Sequence, residues 1–87
     1  MYCIIVYDIS EGKVVEVCHF LRRYLNWVQN SVFEGELTPS QLYEIRGNLK
    51  NMINQDTDFI VIYTFRTKKE VTREQLGTGK RRSDRII

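Results

Sequence analysis

Residues 26–37 read NWVQNSVFEGEL, and the way they fold decides the architecture of the whole chain. Two short apolar pieces, Trp27-Val28 and residues 32–37, flank Gln29-Asn30-Ser31, where the residue types favour a turn. The pattern predicts a hairpin. In its second arm Val32, Glu34 and Glu36 fall on one face, with Phe33 and Gly35 on the other, because side chains alternate along a strand. Gly35 marks either a bulge or a close backbone approach. A hairpin placed between two helices would divide the chain into alternating elements of known order.

Both flanks carry helical patterns. Upstream, Val14, Val17, Cys18, Leu21, Leu25 and Val28 recur at helical spacing, while Lys13, Glu16, His19, Arg22, Arg23 and Asn26 share the opposite arc. This predicts an amphipathic helix from Lys13 to a point between Tyr24 and Trp27. Downstream, Thr38 suits an N-cap, Pro39 the first helical position, and Gln41 completes a capping box. Leu37 and Leu42 have the spacing of a hydrophobic staple, and Leu42, Ile45, Leu49, Met52 and Ile53 form the apolar stripe. This second helix should fade over residues 54–56.

Outside the helices lie two apolar runs. Residues 2–7, YCIIVY, read as a central strand buried on both faces, broken by Ser10-Glu11-Gly12. Residues 58–65 predict a second continuous apolar strand. Residues 71–76 predict a short last strand, apolar only at its ends and poorly suited to burial within its own subunit. The order strand, helix, hairpin, helix, strand makes an α+β chain, a ferredoxin-like split βαβ (βαββαβ) with an extra short C-terminal strand. The first and third strands become the central pair. With both helices on one side, the other sheet face needs a cover, which a face-to-face sheet dimer would supply. Segment 71–76 would then pair with a sheet edge, its own or the partner's. Residues 1–77 form the domain and 78–87 a basic tail.

A chain of 87 residues makes one small domain. Such a chain buries roughly 60–65% of its unfolded surface, so a second subunit would add to its stability. Its longest apolar runs, residues 3–7 and 59–63, are far short of the about 20 residues a membrane span requires. No basic segment followed by an apolar one signals secretion, and the expected location is the cytoplasm, away from membranes. Cys3 and Cys18 lack a metal-type spacing and read as small buried reduced side chains, with a link between them left open. Charge is uneven: residues 1–65 hold five Lys/Arg against eight Asp/Glu, and residues 66–87 hold eight against three. That polarity suits a phosphate-rich partner, or simply a solvated terminus.

Few residues offer chemistry. Asp8 ends the first strand; it reads as a turn or N-cap carboxylate, or as a hard oxygen ligand for Mg²⁺. One aspartate is too few for a cation site, but two copies across a two-fold axis would suffice. His19 is the single histidine, on the polar helix face, without a second proton-transfer group in view. Gly77 to Lys80, GTGK, lacks the spacing and the following Ser/Thr of a phosphate loop. Lys80, Arg81, Arg82 and Arg85, with Arg66, Lys68 and Lys69, can neutralise phosphates, and Arg22 with Arg23 makes a second basic spot. Tyr7, Phe33, Tyr63 and Phe65 offer stacking faces, or core and dimer packing.

Taken together, VYDIS, the helix after it, NWVQNSVFEGELT and FIVIY resemble the small CRISPR-associated endoribonucleases, the second of the two core spacer-acquisition proteins. The resemblance spans about residues 2–77 and is carried most specifically by Tyr7-Asp8, by Gln29-x-Ser31-Val32-Phe33-x-Gly35 and by Gln75-Leu76-Gly77. It implies a homodimer with facing sheets, in which Asp8 meets its mate and holds a divalent metal, Mg²⁺. It implies metal-dependent cleavage of single-stranded RNA or double-stranded DNA, with Tyr7 and Phe33 at positions linked to activity or site shape, and Ser31 at a motif position too. It also implies a central dimer that bridges integrase subunits in spacer acquisition. Arginines that some nucleolytic members carry are replaced here by Val14, Glu16 and Trp27, leaving Lys13, Arg22 and Arg23 as nearby cations. Two functions follow: a Mg²⁺-dependent phosphodiesterase, or a non-catalytic scaffold that binds duplex DNA and the integrase. An RNA-recognition module of the same fold would need an aromatic signature absent from this chain.

Overall fold

The computed structural model describes residues 1–77. Its elements run β1 (Tyr2–Asp8), α1 (Glu11–Leu21), β2 (Asn26–Gln29), β3 (Val32–Glu36), α2 (Pro39–Met52) and β4 (Phe59–Phe65), followed by one 3₁₀ turn at Lys68–Glu70. The strands form one antiparallel sheet in the order β2-β3-β1-β4, with β1 and β3 central as the hairpin reading requires. The architecture is α+β, a ferredoxin-like split βαβ. Among the described residues no helix is long and apolar enough to cross a membrane.

The hairpin closes over Asn30 and Ser31. Asn30 takes φ +40°, a left-handed backbone that asparagine tolerates better than most residues, and its carbonyl accepts the indole N–H of Trp27 at 3.0 Å. The register slips between Trp27 and Gln29, so the irregularity lies in β2 and not at Gly35. Gly35 is the close approach: a Cβ there would stand 3.1 Å from Leu25 Cδ2 and 3.7 Å from Leu25 Cα.

The capping box at α2 forms as its residues dictate. Gln41 N–H donates to Thr38 Oγ1 at 3.1 Å, and Thr38 N–H donates to Gln41 Oε1 at 3.0 Å. Leu37 and Leu42 are both buried, completing the staple. Helix α1 differs from expectation at both ends. Glu11 and Gly12 enter its first turn, and the helix stops at Leu21, short of Tyr24. Amides of Arg23 and Tyr24 tighten onto the carbonyls of Phe20 and Leu21, and Leu25 bonds back to Leu21 as its side chain turns inward. The helical spacing continues to Leu25 because the core beneath continues, although the backbone does not.

The helix-side face of the sheet contributes Cys3, Ile5, Tyr7 and Phe33, which pack against Val17, Cys18, Leu21, Ile45 and Leu49. The opposite face carries Ile4, Val6, Asp8, Val32, Phe59, Val61, Tyr63 and Phe65, by the alternation of paired residues. No helix among the described residues covers it, and Phe59 and Tyr63 are 54% and 52% exposed. Strand β1 is shielded by neighbours on both sides, whereas β4 is an edge strand that pairs only with β1.

Segment 71–76 forms no strand with its own sheet, so of the two pairings expected for it the one within the chain is not seen. With Val71 and Leu76 as its only apolar residues, it has little to bury, and Leu76 is 89% exposed. Ionic contacts hold this end of the chain instead. Arg66 pairs with Glu70 at 2.9 Å, Lys68 Nζ stands 5.9 Å from the Tyr2 ring centroid, and Arg73 pairs with Glu34.

Candidate functional site

Asp8 is the last residue of β1, exposed, and in register with Phe59 of β4. The apolar run before it is held on both sides by ladders, so its position is set by the two central strands and β4. Its carboxylate makes no hydrogen bond or ion pair among the described residues. Asp8 stands at the end of the uncovered sheet face, beside Val6, Val32 and Val61. No group of three or more His, Cys, Asp or Glu that could hold a metal ion gathers among the described residues. The donor set fits a cation only as one carboxylate oxygen ligand to be completed by others.

Motif residues converge on this end of the sheet, though not on one side of it. Tyr7 N–H donates to the Ser31 carbonyl at 3.1 Å, which extends the β1–β3 ladder into the hairpin turn and brings Ser31 beside the Tyr7-Asp8 pair. Tyr7 and Phe33 stack with ring centroids 6.2 Å apart, both buried on the helix side, opposite Asp8. Tyr7 Oη lies 2.9 Å from Cys18 Sγ. Burial first, then that hydrogen bond, pushes the Tyr7 phenol well above the usual tyrosine range. Cys3 and Cys18 are free and buried, and burial raises the Cys3 thiol.

The basic residues separate into distinct places. Lys13 sits in the first turns of α1, at the Asp8 end. Arg22 and Arg23 follow the helix, exposed, about 14 Å along the axis from Lys13. Lys80, Arg81, Arg82 and Arg85 lie outside the described residues. His19 is exposed on the polar face of α1, as read.

Two carboxylates that the sequence reading passed over turn out to organise the site and its surroundings. Asp58 is buried just before β4, and its Oδ1 accepts the Ser10 N–H at 2.9 Å, while Oδ2 accepts the Asn54 N–H at 2.9 Å. The Asn54 N–H bond is the main cause holding this carboxyl below the usual range; burial opposes it, and the Ser10 bond, Thr57 and Lys13 assist. The polar run Asn54-Gln55-Asp56-Thr57 directly before an apolar strand is the signal that a side-chain cap is needed there. Glu34, 7% exposed on β3, pairs through Oε2 with Arg73, while its buried Oε1 has no hydrogen-bond partner among the described residues. The nearby Tyr2 phenol is raised first by burial and then by the Glu34 charge. The single signal for Glu34 was a charge on a strand between apolar neighbours.

Comparison with known proteins gives consistent matches. The family described as CRISPR associated protein Cas2 matches residues 1–76. A protein of Methanosarcina acetivorans named CRISPR-associated endoribonuclease Cas2 is 47% identical over 87 residues, covering 100% of both chains. One of Archaeoglobus fulgidus, named CRISPR-associated endoribonuclease Cas2 2, is 49% identical over 80 residues, covering 92% of this chain and 87% of its own. Among solved structures, one described as the crystal structure of cas2 superposes with a TM-score of 0.80 at 42% identity, covering 95% of this chain and 91% of that one. The Streptococcus pyogenes Cas2 structure at pH 6.5 gives 0.78 at 29% identity, covering 88% and 100%.

Proposed function

Because this chain belongs to the CRISPR-associated Cas2 family, we propose that it is a divalent-metal-dependent endoribonuclease of CRISPR adaptation, acting as a homodimer. The observation that carries the reading is Asp8: an exposed carboxylate without a hydrogen-bond or ion-pair partner among the described residues, at the end of an apolar sheet face that no described element covers. Two such faces packed together would bury Val6, Val61 and Tyr63 and bring one Asp8 from each copy to the two-fold axis. Mg²⁺ held by the two carboxylates would supply Lewis-acid activation of a phosphodiester and of water.

The remaining residues act through position and charge. Tyr7 and Phe33 pack the strand end from the helix side, so that Asp8 leaves a rigid β1. Lys13 near Asp8, Arg22 and Arg23 just past the end of α1, and the basic residues Lys80, Arg81 and Arg82 of the tail bind backbone phosphates, with an affinity that falls as salt is added. The substrate is single-stranded RNA or double-stranded DNA, and the relatives' names favour RNA.

A second reading is supported by the distance between Lys13 and the Arg22-Arg23 pair. Phosphate-binding cations that far from Asp8 suit a scaffold that follows a duplex and bridges integrase subunits in spacer integration. The deciding experiment compares wild type with Asp8→Asn on labelled RNA and DNA, with and without Mg²⁺. Cleavage that needs Mg²⁺ and vanishes in Asp8→Asn, with the dimer intact, supports the nuclease. Full activity in Asp8→Asn overturns it, and duplex binding without cleavage by either protein supports the scaffold.

A further inference from the structure

We propose that Asp58 is a positioning residue whose buried carboxylate fixes the turn that presents Asp8. The proposal rests on the reading of Asp8 as a cation ligand, and it assigns a role to a residue outside that reading. Asp8 pairs in the ladder with Phe59, and Ser10, two residues on, donates its N–H to Asp58 Oδ1 at 2.9 Å. One dipeptide, Asp58-Phe59, therefore holds the chain on both sides of Ile9. Asp8 makes no side-chain hydrogen bond or ion pair among the described residues, so its backbone anchors set where its carboxylate is presented.

Asp58 is in turn made rigid by its own loop. Its Oδ2 accepts the Asn54 N–H at 2.9 Å, its own N–H donates to the Asn54 carbonyl at 2.8 Å, and Asn54 Oδ1 accepts the Asp56 N–H at 3.0 Å. The Thr57 hydroxyl stands 3.4 Å from Oδ1. At 6% exposure the carboxylate has little access to solvent, and bonds from backbone amides to a charged acceptor are among the stronger ones. Ser10 also begins α1, since Lys13 N–H donates to the Ser10 carbonyl at 3.0 Å. Asp58 thereby sets the exit of β1 and the entry of α1 together, and with them the relation of Asp8 to Lys13. An asparagine in its place could accept through one oxygen only and would release either Ser10 or Asn54.

The test uses the full chain, with Mn²⁺ as the probe. Amide NMR signals of Tyr7, Asp8 and Ile9 are followed during a Mn²⁺ titration, and the exchange rate of the Ser10 N–H is measured, in wild type and Asp58→Asn. The expected result is a Mn²⁺ midpoint raised about tenfold or more in Asp58→Asn, with Ser10 exchanging at least about tenfold faster. Arg73→Ala, destabilised at a place remote from Asp8, should leave both values as in wild type. Ser10→Pro is the second variant, for the case that Asp58→Asn does not fold. The Ser10 φ of −62° already suits proline, and the substitution deletes the donated N–H together with a hydroxyl that makes no capping hydrogen bond. It should raise the Mn²⁺ midpoint as well. Unchanged midpoints in Asp58→Asn or Ser10→Pro, or equal shifts in Arg73→Ala, overturn the proposal. Wild-type signals that ignore Mn²⁺ overturn the cation reading of Asp8 itself. In that case Ser10 exchange still judges the anchor: faster exchange in Asp58→Asn supports it, and unchanged exchange overturns it.

Discussion

Tyr7 Oη lies 2.9 Å from Sγ of Cys18, so a single buried contact fastens the penultimate residue of β1 to the inner face of α1. Tyr7→Phe keeps the ring stacked on Phe33 and removes only this contact. It should cost about 0.5–1.5 kcal/mol, read from urea unfolding, while the cleavage proposed for Asp8 stays at the wild-type rate. Tyr7→Ala also empties part of the core and should cost about 3–5 kcal/mol. Lost cleavage in a Tyr7→Phe protein of normal stability would place the phenol in the chemistry instead of the core.

Glu34 and Arg73 form the next testable pair. One oxygen of Glu34 has no hydrogen-bond partner among the described residues, so removing the guanidinium takes away the cation paired with a carboxylate in a site that is 7% exposed. Arg73→Ala should destabilise by about 1–3 kcal/mol. Adding Glu34→Leu removes the stranded charge and should recover most of that loss, because a buried pair can be replaced by apolar groups more safely than broken. A double-mutant cycle with no coupling energy would mean that Arg73 does not bind Glu34 in solution.

The pH dependence of stability follows from Asp58. The Asn54 N–H above all holds its folded-state carboxyl below the ordinary value. A carboxyl lowered by folding contributes stability that is present above its unfolded value and is lost as pH falls through the folded one. The gap in urea midpoint between wild type and Asp58→Asn should therefore be widest near about pH 6 and close toward about pH 3. A gap that does not change with pH would show that the carboxylate charge is not what matters.

The uncovered sheet face yields the fourth prediction. Val61 pairs with Val6 near the middle of that face and is 36% exposed. Val61→Lys places a charge where a second copy would pack, while solvent can still reach it in a single chain. If the proposed dimer packs through this face, sedimentation should show a dimer for wild type and a folded monomer for Val61→Lys, with thermal unfolding still cooperative. A dimer that survives would move the interface to another surface.

Much of this protein was legible before its structure. Turn chemistry at Asn30-Ser31, the capping box of Thr38 and Gln41, and the change of period from strand to helix are local effects, decided by residues a few places apart. They determine the element order, and the order restricts the sheet to one pattern with β1 and β3 inside. Asp8 was also visible as a carboxylate ending an apolar run. The end of α1 is not legible, for the opposite reason. Leu25 continues the helical spacing, but it is buried from a turn, because β2 must begin at Asn26 to meet β3.

Tertiary structure alone decided what surrounds Asp8. Asp58 and Ser10 are 48 residues apart, and their bond exists because β4 lies alongside β1. The side of the sheet on which each residue falls was likewise decided by strand register: Tyr7 turns toward the helices and Asp8 to the open face, although they are neighbours in sequence. Segment 71–76 likewise meets the sheet through a distant pair, Arg73 on Glu34, which are 39 residues apart. Periodicity and turn preference act over short spans of backbone and can be read in one dimension. Contacts between distant polar groups depend on where the folded sheet places them, and that is known only once the strands have paired.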